Sequence, residues 1–267
     1  MEFSGKNIII SGGSSGIGLA LARQLAQRGA NLSLLARRKD LLEEAAGLIE
    51  QEKASPMQRV DVIAADVSNF HTLEQSIDKS SQAFDILINS AGVAYPGLFL
   101  DMDPEIFKNV IDINYLGTVN LTKLIAPRMV NQKSGHIVNI SSIGALLGIY
   151  GYTAYAPSKF AIRGFSHCLW AELEPLGIHV SVVYPPDTDT PQLAFERSRI
   201  PEITKKINEG GGMLSPEKVA ATIIKGIEKK RFVIIPGFQG KIIYQLAPLI
   251  DAFMYRFAVK LASRDSK

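Results

Sequence analysis

One cysteine, Cys168, occurs in 267 residues, so no intramolecular disulfide can hold this fold together and a reducing compartment suits it. Charge of one sign is equally scarce. Lys and Arg number 29 against 26 Asp and Glu, and the net +3 is spread along the chain. So weak a bias does not imply a nucleic-acid surface, and no nucleic-acid partner is expected. The local run EKKR at 228–231 reads as a solvated helix end. His136, His167 and His179 lack metal-ligand spacing, so no metal is expected. MEFSGK leads into an apolar strand without the basic region, apolar region and cleavage site of a secretory signal. The expectation is a protein without a signal peptide on the cytoplasmic side, soluble or peripherally membrane-associated. No repeat or low-complexity linker is present, and 46% apolar with 21% charged residues is not the composition of a disordered chain.

What is present is a rhythm. Runs rich in Ile, Val and Leu recur between amphipathic stretches: NIII (7–10), NLSLLA (31–36), DVIAA (61–65), ILIN (86–89), HIVNIS (136–141), HVSVVY (179–184) and FVIIP (232–236). Nearly continuous apolar strands separated by helices predict a parallel sheet covered on both faces. The fold class is α/β, a single-domain doubly wound parallel sheet, Rossmann-like, spanning 1–267. Two stretches break the rhythm. Residues 187–213 are polar and run into Gly210, Gly211 and Gly212, before Ser215 and Pro216 open a helix as N-cap and first residue. Coming after a central strand, this stretch is expected to be a substrate lid. The other is the apolar C-terminal segment at 241–262.

The first strand runs into SGGSSGIG, where Gly12, Ser14, Ser15, Gly16, Ile17 and Gly18 form a turn opening a helix. Glycines let the backbone approach a pyrophosphate, and the unpaired N–H groups of a helix start favour its charge. A glycine triplet alone is a weak signal; its position between a strand and a helix makes it a dinucleotide site. The second strand ends in Ala36-Arg37-Arg38, not in the acid that grips a ribose 2′-hydroxyl. The Arg37 guanidinium suits a 2′-phosphate, with Ser14 as a second donor, so the expected cofactor is NADP(H). Two solvated arginines are the alternative.

The GxxxGxG spacing resembles the short-chain dehydrogenase/reductase family. That resemblance implies that Asp66 and Val67 contact the adenine and that NSAG, from Asn89 to Gly92, covers the cofactor.

Tyr155 and Lys159 stand four apart in YAPSK at a helix start, so both project from one face. Pro157 is tolerable there because the helix has barely begun. A ketone that accepts a hydride must also gain a proton, and a phenol with pKa near ~10 serves at neutral pH only if its anion is stabilised. A neighbouring ammonium does that. Ser142 lies thirteen residues upstream at the end of a strand, and Asn114 stands in INYLG. The resemblance, which spans about residues 5–190, assigns the roles. Tyr155 is the acid/base, Lys159 holds the ribose and lowers the tyrosine pKa, Ser142 binds the substrate oxygen, and Asn114 sustains a proton relay.

The family's usual Pro-Gly-x-Val-x-Thr turn becomes YPPDTDTP at 184–191, which keeps Pro185 and Thr190 but replaces the glycine by Pro186 and the valine by Thr188. The nicotinamide carboxamide is then expected on Pro185, Thr188 and Thr190. YPPDTDTP and SKFAIRG (158–164) are similar to the 3-ketodihydrosphingosine reductase subfamily. This implies a lipophilic keto substrate, with the ketone of 3-ketodihydrosphingosine reduced to dihydrosphingosine. That substrate carries an ammonium beside the ketone, which Asp187 or Asp189 could face; both aspartates acting only as turn caps is the other reading. A steroid or 3-oxoacyl thioester reductase remains the alternative enzyme, and a silent Rossmann sensor the non-enzyme one. The resemblance also implies a homodimer or homotetramer built on helices around 105–130 and 155–175. Ile242, Leu246, Leu249, Phe253, Phe257 and Leu261 would form an apolar stripe interrupted near Pro248. Asp251, Arg256 and Lys260 make the segment too charged for a comfortable transmembrane span. The stripe is expected on a membrane interface, on its own domain or on a second subunit.

Overall fold

The computed structural model describes residues 2–80, 83–208 and 212–265. Seven parallel strands follow one another in the chain: β1 (Asn7–Ser11), β2 (Asn31–Ala36), β3 (Val60–Ala64), β4 (Ile86–Asn89), β5 (Gly135–Ile140), β6 (Ile178–Val183) and β7 (Val233–Ile234). They pair in the order β3-β2-β1-β4-β5-β6-β7, with Ile8 opposite both Leu32 and Ile86. Every apolar run read from the sequence is a strand, within one residue at most boundaries. The FVIIP run is the exception, pairing through only two residues. The edge strand β3 also departs from the both-faces rule, since Asp61, Val62 and Ala64 are exposed. An edge strand has a neighbour on one side only, so its outer positions stay wet.

Alternate residues of β1 face opposite layers, as a pleated strand requires. Ile8 and Ile10 pack with Leu21 and Leu25 of α1 (Gly16–Ala26) and Ile223, Ile224 and Ile227 of α9 (Pro216–Glu228). Ile9 packs with Leu121, Ile125 and Met129 of α5 (Gly117–Gln132) and Leu73 and Ile77 of α3 (Phe70–Asp78). Ile9 is fully buried, so cutting it to Ala would cost roughly 2–5 kcal/mol. The remaining helices are α2 (Lys39–Glu50), α4 (Pro104–Ile111), α6 (Tyr155–Leu173), α7 (Pro191–Arg197), α8 (Glu202–Asn208) and α10 (Phe238–Asp265). His136 is wholly buried, its Nε2 2.7 Å from Ser181 Oγ. Burial and the neighbouring His179 push it down to about 3, so it is a neutral core imidazole.

The strand order reverses between β1 and β4, which opens a crevice beyond the carboxyl ends of the central strands. Three features border it. A π-turn at Asp112–Leu116 joins α4 to α5. Within 187–213 the chain forms α7 and α8 rather than an unstructured loop, while Gly210 and Gly211 lie outside the described residues. Ser215 caps α9 as expected, its Oγ accepting from Lys218 N at 3.4 Å, with Pro216 first in the helix.

Helix α10 differs from expectation at Pro248. It runs for 28 residues through Pro248 without interruption; a proline removes one backbone hydrogen bond, and the turns on either side carry this helix on. The described part of the stripe faces away from the core. Ile243, Tyr244 and Ala247 pack on Tyr184, Ala145 and Leu146, whereas Ile242, Leu246 and Leu249 are exposed. The side chains of Phe253, Phe257 and Leu261 lie outside what the structure describes. Among the described residues, no helix is long and apolar enough to cross a membrane.

Candidate active site

The turn after β1 is a cradle that only glycine can build. Gly12 and Gly16 have φ of +70° and +54°, in the left-handed region. A Cβ on Gly12 would lie 2.9 Å from Ala91 N, and one on Gly18 only 2.2 Å from Gly12 O. Ser15 is the N-cap residue of α1 but makes no capping bond with its side chain, so the helix start keeps donors for an anion. Ser14 is half-buried on this turn, and Ile17 packs inward on the core. The cradle has the shape and the donors for a dinucleotide pyrophosphate.

Arg37 is exposed at the end of β2, with its Nη1 3.9 Å from Asp66 Oδ2. Asp66 is fixed by Ser68, whose N and Oγ donate to Oδ1 at 2.9 and 2.7 Å. A cation and an acid thus flank the place where the adenosine end of a dinucleotide would lie. Val67 turns its side chain against Gly117, leaving its carbonyl to accept from Asn120 Nδ2 at 2.9 Å. Asn89 turns its side chain away from the crevice. Its amide nitrogen donates to Thr122 Oγ1 at 3.0 Å and Asn139 Oδ1 at 2.8 Å inside the fold. The cleft end of NSAG is Gly92, where a Cβ would sit 3.3 Å from Asn114 Oδ1 and 3.4 Å from Lys159 Nζ.

Asn114, Ser142, Tyr155 and Lys159 converge beyond β4 and β5. Asn114 Oδ1 accepts from Val93 N at 2.8 Å, and its Nδ2 donates to Val93 O and Ser158 Oγ, each at 2.9 Å. Its amide is a clamp, so any share in a relay falls to its carbonyl, which accepts from Thr118 Oγ1 at 2.7 Å and keeps a second lone pair. Ser142 caps a short 3₁₀ turn, accepting from Gly144 N at 3.0 Å, and hydrogen-bonds Tyr155. Tyr155 is the first residue of α6, which puts Pro157 in its first turn. Lys159 Nζ lies 5.5 Å from the centre of the Tyr155 ring and donates to Ile140 O at 3.2 Å.

The electrostatics run against one expectation. Burial pushes the Tyr155 phenol above its usual range, and Glu196 and Asp187 push it further, while Ser142 alone opposes. Burial takes the Lys159 ammonium down to about 8, with Glu196 opposing. Desolvation therefore decides the tyrosine here rather than a depression by Lys159.

Two further residues join this cluster. Tyr152 OH donates to Glu196 Oε2 at 2.8 Å, and the Tyr152 ring meets Tyr155 edge-on at 5.8 Å. Glu196, on α7, is only 6% exposed, and its other oxygen accepts from Gln192 Nε2 at 3.0 Å. Nothing in QLAFER signals this in one dimension, because a single Glu in a polar stretch reads as surface.

Residues 6–200 match the family model of short chain dehydrogenases. The chain belongs to that family. Within it, the 3-ketodihydrosphingosine reductase of Dictyostelium discoideum is 36% identical over 273 residues, covering 96% of this chain and 82% of that protein. A fatty acyl-CoA reductase of Acinetobacter baylyi is 35% identical over 265 residues, covering 96% and 85%. A short-chain dehydrogenase/reductase of Burkholderia phymatum, solved in complex with NAD, superposes with a TM-score of 0.81 at 25% identity, covering 92% of this chain and 94% of that one.

This short-chain dehydrogenase is an oxidoreductase whose turn after β6 departs from the family's usual one. Pro185 O accepts from Ile143 N at 3.0 Å, which ties the turn to the Ser142 loop. Thr188 bridges to Leu214, and its Oγ1 donates to Pro186 O at 2.8 Å. Thr190 Oγ1 caps α7 by accepting from Leu193 N at 3.3 Å, leaving its proton for an acceptor. A Cβ on Gly16 would lie 3.1 Å from Thr190 Cγ2, so the two ends of the cradle meet. Of the two aspartates, Asp187 is the one whose charge reaches Tyr155.

Proposed function

We propose that this enzyme reduces the ketone of 3-ketodihydrosphingosine to dihydrosphingosine with NADPH. The observation that carries the reading is the negative charge around Tyr155, where Asp187 and Glu196 both act on the phenol. A substrate with an ammonium beside its ketone complements that charge. A polyanionic acyl-CoA thioester does not.

Gly12, Ser14, Ser15, Gly16 and Gly18 would hold the pyrophosphate, Lys159 the ribose, and Pro185, Thr188 and Thr190 the carboxamide. Arg37, with Arg38 beside it, favours a 2′-phosphate and hence NADP(H) over NAD(H). When bound, the cofactor supplies the hydride. The protein does the rest. Ser142 holds the ketone oxygen, and Tyr155 gives that oxygen its proton as carbon–oxygen π-bonding is lost. A phenol raised by burial is protonated at neutral pH, the state an acid needs before turnover. Residues 187–213, of which α7 and α8 are described, would lie over the substrate as a lid.

Exposed Ile242, Leu246 and Leu249 on α10 and Leu98, Phe99 and Leu100 after β4 support a second element of the reading. They would rest on a lipid surface from which a long-chain substrate is drawn. Exposed Phe160 and Trp170 on α6 support assembly into a homodimer or homotetramer. The substrate test is NADPH oxidation with a long-chain 3-keto-2-amine and a 3-oxoacyl thioester side by side. The reading predicts a kcat/KM at least about tenfold higher for the keto-amine; preference for the thioester overturns it.

A further inference from the structure

We infer that Glu196 is the residue that anchors the substrate ammonium beside the reacting ketone. This rests on the keto-amine reading and names the group that reads the amine, on a helix no motif singles out. Geometry separates Glu196 from the other acids of the cleft. It is the buried one, 6% exposed, whereas Asp187 and Asp189 are exposed. Its two hydrogen bonds come from neutral donors, Tyr152 at 2.8 Å and Gln192 at 3.0 Å. Among the described residues, no basic side chain forms a salt bridge with it; Lys159 acts on it only from further off. Partial burial raises the Asp187 carboxyl as well, but there the Arg197 cation opposes it.

A desolvated carboxylate without a cation is a costly arrangement in a folded protein. Burial accordingly pushes the Glu196 carboxyl up, and the hydrogen bonds from Gln192 and Tyr152 oppose this. A cation arriving between Glu196 and Tyr155 would relieve both groups at once, since the same charge destabilises the tyrosine anion. Tyr152 fixes the reach: its hydroxyl holds Glu196 while its ring touches Tyr155. An ammonium on the carbon next to the ketone is thus read from the same side as the proton donor. A ketone lacking the amine brings Glu196 no countercharge.

The test compares wild type with Glu196→Gln and Glu196→Asp on 3-ketodihydrosphingosine and on a ketone of equal chain length without the amine, at saturating NADPH. Glu196→Gln is expected to lower the ratio of kcat/KM for amine over amine-free substrate by roughly 10–100-fold. The loss should appear chiefly in KM, with NADPH affinity retained by fluorescence titration. Glu196→Asp keeps the charge but shortens its reach, so it should fall between the two; it carries the test alone if Glu196→Gln does not fold. Equal losses on both substrates, or no loss on either, overturn the anchor and leave Glu196 as a support for Tyr152. A wild type that does not prefer the amine instead overturns the substrate reading itself.

Discussion

Lys159 Nζ stands 5.5 Å from the centre of the Tyr155 ring, and its hydrogen bond goes to Ile140 O at 3.2 Å rather than to the phenol. The two residues share a helix face yet do different work. In the proposed reading the tyrosine carries the proton and the lysine holds the cofactor ribose.

Removing the proton while keeping the ring isolates the first role. Tyr155→Phe should fold and bind NADPH as wild type does, while kcat falls roughly 10²–10⁴-fold. Steady-state turnover checks this, and near-normal turnover would place the proton donor elsewhere.

The second role has a signature in stability. Burial takes Lys159 down to about 8 in the fold, below the ordinary value of 10.5 it regains on unfolding. Between these values the unfolded chain binds more protons than the folded one, so stability rises with pH from about 8 to 10.5. Below pH 8 the cost of burying the cation is constant. Lys159→Met should therefore be inactive, yet more stable at pH 7 by of order 1–3 kcal/mol, and should lack that rise. Urea unfolding of both proteins from pH 7 to 10.5 decides it, and identical pH profiles would contradict the assignment.

The proposed preference for NADPH rests on Arg37, whose Nη1 lies 3.9 Å from Asp66 Oδ2. Arg37→Asp should weaken NADPH use by about 10–100-fold and bring NADH closer. The check is kcat/KM with each cofactor; a wild type that already prefers NADH sinks this argument.

On α10, Leu249 is 79% exposed and Leu246 41%. Replacing both by Asp should abolish flotation with liposomes and lower activity on long-chain substrates selectively, because charged side chains do not enter the acyl boundary. If the unaltered protein does not float with liposomes, the exposed face serves a second subunit instead.

Much of this architecture is legible in one dimension because its signals are local. A β-branched run such as NIII reads as a strand wherever it is placed, and a turn needing positive φ at Gly12 and Gly16 can be built from little else. Tyr155 and Lys159 are four apart on one helix, so their convergence follows from helix geometry. Other features depend on partners distant in sequence. Asn89 turns to Asn139, 50 residues away, and that contact decides that it braces the sheet. Glu196 joins the Tyr155 cluster only because α7 folds back onto Tyr152, 44 residues earlier. On α10 the spacing of Ile242, Leu246 and Leu249 describes a stripe without saying which way it faces; Ala247 and Tyr244 take the core side.

The most direct measurement of the central claim follows the hydride itself. NADPH deuterated at the transferred position is incubated with 3-ketodihydrosphingosine and the purified enzyme, and the product is examined by mass spectrometry. The expected product is dihydrosphingosine carrying one deuterium at the former ketone carbon, formed by wild type and roughly 10²–10⁴-fold more slowly by Tyr155→Phe. Absence of labelled amino alcohol from the wild type, while a 3-oxoacyl thioester is reduced under the same conditions, would contradict it.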